Sequence, residues 1–125
     1  MVKKQLTWLI SGLAAILLTT ACMLFAPPRG PLQFQPAVLP DAQLNAPYEA
    51  QITISDNATP VIDFTVSDGA LPAGLTLQKV EGQDVARIFG SPTESGTFKF
   101  TVFVYCYGTN VSGQVGDQQY SVTVK

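Results

Sequence analysis

From Tyr48 to the C-terminus the apolar residues recur at every second position, and a period of two restricts a chain to half-buried strands. Tyr48, Ala50, Ile52 and Ile54 make one row, and Ile62, Phe64 and Val66 make the next. Phe98, Phe100, Val102, Val104 and Cys106 form the longest, and Tyr120, Val122 and Val124 close the chain. Successive side chains of a strand point to opposite faces, so each row buries one face and leaves the other in water. Turn formers separate the rows: Ser55-Asp56-Asn57, Ser67-Asp68-Gly69, Glu81-Gly82-Gln83-Asp84, Glu94-Ser95-Gly96 and the stretch from Gly113 to Asp117. Outside the N-terminal segment, helical periodicity nowhere exceeds about two turns. The expectation is an all-β domain, a sandwich of about seven short strands.

The N-terminal segment follows a different logic. Lys3 and Lys4 precede an apolar run from Leu6 to Leu18, and Thr19-Thr20-Ala21 leads into Cys22. A positive start, an apolar core and a small residue before a cut make an export signal, a helix ahead of the strand-rich domain. The stretch Leu18-Thr19-Thr20-Ala21-Cys22 resembles the lipobox of bacterial lipoproteins, with Thr19 where that pattern most often has leucine. The resemblance implies a mature N-terminus at Cys22, with diacylglycerol on its sulfur and an acyl chain such as palmitate on its amine. Met23 in place of aspartate then points to the outer membrane, facing the periplasm or the cell surface. The rival is an uncleaved anchor, because the run extended through Ala26 reaches the roughly 20 apolar residues of a membrane span. Both readings put Lys3 and Lys4 in the cytoplasm and everything after Pro27 outside.

These signals divide the chain into a signal peptide (1–21), a lipidated cysteine with a proline-rich tether (22–39) and one domain (40–125). Pro27, Pro28, Pro31, Pro36 and Pro40 remove amide donors and hold φ, so an extended polyproline-like tether is expected from Ala26 to Pro40. Leu32 to Val38 is an alternative edge strand, and the two readings are compatible.

Composition narrows the function. With Lys3 and Lys4 set aside, five basic residues (7 − 2) face nine acidic ones, which leaves no clustered positive charge for nucleic acid. Histidine is absent, and with it the commonest general base and metal ligand. There is no nucleophile–base set, no phosphate loop and no zinc spacing. Asp63 with Asp68, and Glu81 with Asp84, are the acids close enough in sequence to pair, and all four are expected to be solvated strand or turn acids. No catalytic residue, metal site or cofactor is expected. Of the two cysteines, Cys106 sits in an apolar row; it is a small buried hydrophobe or the donor of an intermolecular disulfide.

Three linked motifs then become specific. Leu71-Pro72-Ala73-Gly74-Leu75-Thr76-Leu77 reads LPxGLxL, Ile88-Phe89-Gly90-Ser91-Pro92 reads IxGxP, and Gly96-Thr97-Phe98-Lys99-Phe100-Thr101-Val102 reads GxFxFTV. In this order they resemble the Ig (cadherin-like) domains of bacterial surface and secreted proteins, over about Pro40 to Lys125. The resemblance implies an Ig-like β-sandwich used as stalk, spacer or binding module. It departs from the family in a longer Leu77–Ile88 hairpin and in the lack of tandem copies, and a single copy does not build an interdomain calcium site. The motif residues are expected to maintain the fold: Leu71 and Leu75 cap the sandwich while Pro72 and Gly74 turn the chain, and Gly90 with Pro92 ends a strand.

Two features are candidates for binding. Phe103, Tyr105 and Tyr107 alternate with the longest buried row and share its outer face with Thr101, a platform for a protein or glycan partner or a surface covered by tether or loop. The polar stretch from Gly108 to Gln119 is a candidate recognition loop or a plain connection. The sequence thus describes an envelope lipoprotein, moored to the membrane at Cys22, with one non-catalytic Ig-like domain for interaction, adhesion or structural support. An accessory subunit of a secretion, pilus or transport assembly is the alternative.

Overall fold

The computed structural model describes residues 29–110 and 112–125; the signal segment, Cys22 and the first part of the tether lie outside the described residues. Seven strands, and no helix, make up the described chain: β1 (Gln33–Gln35), β2 (Tyr48–Ser55), β3 (Val61–Gly69), β4 (Leu75–Lys79), β5 (Val85–Gly90), β6 (Gly96–Cys106) and β7 (Val115–Val124). They form a four-stranded sheet in the order β1-β2-β5-β4 and a three-stranded sheet in the order β3-β6-β7, with antiparallel pairing throughout. This four-plus-three division is the strand arrangement of an Ig-like sandwich.

The expected rows meet between the sheets. Ile52, Ile88, Val102, Val104 and Val122 are wholly enclosed, with Phe100 and Ala86 beside them. Burying each larger member stabilises the fold by about 1.5–3 kcal/mol, and a slip of one residue would turn the whole row to solvent. Register is therefore set by β2, whose residues alternate without a break, and by the inner residues of β6 and β7.

β3 breaks the alternation. Val61 and Phe64 are buried, whereas Ile62 and Val66 are only half-buried. Irregularities between Val61 and Asp63, and between Val66 and Asp68, shift the register against β6, because an inserted residue re-aims the side chains around it. Ser67-Asp68-Gly69, expected as a turn, continues β3. Gly69 has φ +72°, and a Cβ there would run into the Lys99 carbonyl.

The proline-rich stretch is part of the sandwich from its middle onward. β1 pairs with the end of β2, and Leu32 and Leu39 are buried in the core. The chain then crosses to the other sheet, where Ala42 bridges Val124 in parallel and Ala42 N–H donates to the Thr123 carbonyl (2.9 Å). Two tyrosine hydroxyls hold the crossing: Tyr48 of β2 donates to the Pro40 carbonyl (2.9 Å) and Tyr120 of β7 to the Pro36 carbonyl (3.0 Å). The edge strand allowed for at Leu32 to Val38 is present at Gln33–Gln35, and the sandwich takes up residues expected to lie in the tether.

Candidate functional site: the outer face of the three-stranded sheet

β6 is the middle strand of its sheet, so its outward residues stand in the centre of an open face. Phe103 and Tyr105 are half-buried there, with rings nearly parallel (25°) and centroids 6.3 Å apart. Residues directly opposite each other in an antiparallel sheet share a face. Asp63 and Val115 lie opposite Tyr105, and Thr65 and Asp117 lie opposite Phe103. Val115 is 61% exposed. Tyr107 lies just past the end of β6, 55% exposed, with its backbone clamped: its N–H donates to the Pro60 carbonyl (3.0 Å), and Thr59 Oγ1 donates to its carbonyl (2.6 Å). Of the three aromatics named from the sequence, Phe103 and Tyr105 thus share the outer face of the sheet, and Tyr107 lies past the end of β6, where it lines a cleft with Lys79 and Asp84. No described segment is hydrogen-bonded over their rings.

The outer face of the other sheet carries a comparable set that is already complete. Phe89 of β5 lies opposite Glu49 of β2, and the Arg87 guanidinium sits 5.4 Å from the Phe89 ring centroid. Arg87 also pairs with Glu49 (Nη2–Oε1 3.0 Å, Nε–Oε1 3.1 Å).

The candidate loop from Gly108 to Gln119 divides into a loop and a strand, because β7 begins at Val115. Its last loop residue, Gln114, is buried and fully bonded. Gln114 Nε2 donates to the carbonyls of Gly30 (2.9 Å) and Asp56 (3.1 Å), and Gln114 Oε1 accepts from Ala58 N–H (2.7 Å). A buried amide with every group paired holds loops together and has nothing left for a ligand. Asp84 departs from the expectation of a solvated acid. Its carboxylate accepts from Val61 N–H (2.7 Å) and Asn57 Nδ2 (2.8 Å), so the β4–β5 loop is tied to the start of β3 across the sandwich. Neither role has a signal in the sequence, since each depends on loops that meet only after folding.

Open clefts flank these ties, one of about 490 Å³ against Arg29, Asp56 and Gln114 and one of about 520 Å³ against Lys79, Asp84 and Tyr107. Among the described residues no group of histidine, cysteine or acidic side chains is placed to hold a metal. Cys106 is buried and free, and burial, with a contribution from the Asp84 charge, pushes its thiol up. A buried thiol held neutral behaves as a small hydrophobe rather than a nucleophile.

The family model described as "Putative Ig domain" matches residues 31–125. Among solved structures, the SrpA adhesin from Streptococcus sanguinis is similar at a TM-score of 0.60 and 14% identity, over 80% of this chain and 59% of that one. The endo-fucoidan hydrolase MfFcnA9 of glycoside hydrolase family 107 is similar at 0.56 and 15%, over 77% of this chain and 17% of that one. The ASH/PapD-like domain of human CEP192 is similar at 0.53 and 11%, over 79% and 88%. At such identities the likeness is one of fold, and this chain spans only part of the adhesin and a small part of the hydrolase. No curated protein matches the sequence.

Proposed function

This chain belongs to the "Putative Ig domain" family, and from that premise we propose that it is an envelope lipoprotein, anchored through Cys22, whose Ig-like sandwich is a non-catalytic interaction module. The observation that carries the interaction half is the aromatic platform of Phe103 and Tyr105 at the centre of an open sheet face, with Val115 exposed beside Tyr105. Aromatic side chains contribute large contact area at low entropic cost, and they dominate the interfaces in which they occur. The anchoring half is supported by the sequence from Leu18 to Cys22 and by the positive start at Lys3 and Lys4.

The docked proline segment alters the geometry of such an anchor. If the chain is folded from Pro31 onward, residues 23–30 provide at most roughly 26–29 Å of reach at full extension. The domain would then stand within about 3 nm of the bilayer. Two measurements test the proposal. Intact mass of the membrane-extracted protein should show cleavage before Cys22 and an added acyl mass; an unprocessed, unacylated N-terminus overturns the anchor. Capture from native envelopes with the full chain should recover a partner that a Tyr105→Ala variant loses; identical recovery by both overturns the platform.

A further inference from the structure

The two outer faces use one arrangement, and only one of them is filled. On the four-stranded sheet an aromatic ring and the carboxylate opposite it, Phe89 and Glu49, hold the guanidinium of Arg87. On the three-stranded sheet the same cross-strand pairing occurs twice side by side, Phe103 with Asp117 and Tyr105 with Asp63. There, among the described residues, no lysine or arginine is ion-paired to either aspartate; the ion pairs are Arg87–Glu49 and Lys125–Asp41. Lys99 is on the same face of β6 but four residues before Phe103, about 13 Å along the strand, and it lies opposite Ser121. Arg29 is engaged with the Ser112 carbonyl (3.1 Å) and Thr109 Oγ1 (3.4 Å). Asp63 Oδ1 accepts from Phe64 N–H (2.8 Å), which leaves its second oxygen open.

We infer that this face docks a protein partner through an arginine or lysine side chain, taken up over Phe103 and Tyr105 between Asp63 and Asp117. The inference rests on the reading of this face as the interaction surface and names the chemistry of what it binds. The charge on the face selects the occupant. A neutral apolar partner would strip water from two carboxylates without pairing them, and an acidic one would be repelled. A cation gains from both components, because aromatic faces attract positive charge and a carboxylate adds a charge-assisted hydrogen bond.

The test uses the full chain, nitrogen-15 labelled in detergent micelles, with two probes: hexa-arginine amide and its neutral hexa-citrulline counterpart. Hexa-arginine should shift the amides of Asp63, Thr65, Phe103, Tyr105 and Asp117, and its affinity should fall as salt is raised. Asp63→Asn with Asp117→Asn should weaken it about fivefold or more, as should Tyr105→Leu, which keeps an apolar side chain and loses the ring. Dichroism checks that each variant is folded. Equal binding of hexa-citrulline, shifts centred on the Glu81–Asp84 loop, or unchanged affinity in the aspartate variants each overturns the inference. A captured envelope partner that needs Tyr105 yet meets the face with an uncharged surface would also overturn it, while leaving the broader interaction reading in place.

Discussion

Gly74 and Gly90 stand where two backbone segments touch, and that contact explains why two separate motifs each need a glycine. Gly74 has φ +93° and Gly90 φ +133°; a Cβ on the first would run into the Ser91 carbonyl, and on the second into the Gly74 carbonyl. LPxGLxL and IxGxP are thus the two sides of one junction, with Leu75 opposite Gly90 in the sheet. Gly74→Ala should destabilise the domain by about 2 kcal/mol or more, since the backbone conformation and the clash act together. For a domain of this size that lowers Tm by about 10 °C, measurable by thermal dichroism; an unchanged Tm would disprove the close approach. Asp84 is a second single-residue dependence. Asp84→Ala leaves Val61 N–H without its acceptor and Asn57 Nδ2 with only the Thr59 carbonyl, and should cost about 1–3 kcal/mol in denaturant unfolding, with a smaller loss for Asp84→Asn, which keeps one acceptor oxygen.

At the scale of elements, the segment from β1 to Ala42 is the part whose place is decided by side chains outside it. Two prolines, Pro36 and Pro40, limit its backbone hydrogen bonds, and Tyr48 and Tyr120 compensate by donating to its carbonyls. Tyr120→Phe should cost about 1 kcal/mol and speed amide exchange in residues 32–42 more than in β6. The same residue makes the fold sensitive to alkali. Burial pushes the Tyr120 hydroxyl up to about 12 from an ordinary 10.0, and burial first, then the Asp41 charge, raises that of Tyr48. The folded state therefore keeps protons that the unfolded chain has released. This contribution is complete below pH 10 and falls away as pH climbs towards 12. A plot of unfolding free energy against pH should bend downward in that window, and Tyr120→Phe should flatten the bend.

For the whole molecule, chain direction sets which end faces an anchor. β1 starts beside the end of β2, and Arg29 bonds the loop after β6, so the chain enters at the end that carries the loops 56–60, 80–84 and 107–114. With acylation at Cys22, that end should lie against the bilayer and the opposite end, at Gly74 and Glu94, should point away. A fluorophore at Gln83 should be quenched by headgroup-labelled lipid and one at Glu94 should not; the reverse pattern would reject the orientation. The all-strand sandwich was legible in the sequence because burying one face of a strand writes a period of two into it, as Tyr48–Ile54 and Phe98–Cys106 show. The aromatic row at Phe103 and Tyr105 was legible for the same reason, as the outward half of that alternation. What tertiary structure alone decided was the re-aiming of Val61 and Ile62 by a bulge, the crossing of the proline segment from β2 to β7, the loop-tying roles of Gln114 and Asp84, and the aspartates set beside the aromatics. Each depends on residues far apart in sequence becoming neighbours, and pairing across strands leaves no periodic trace along one of them.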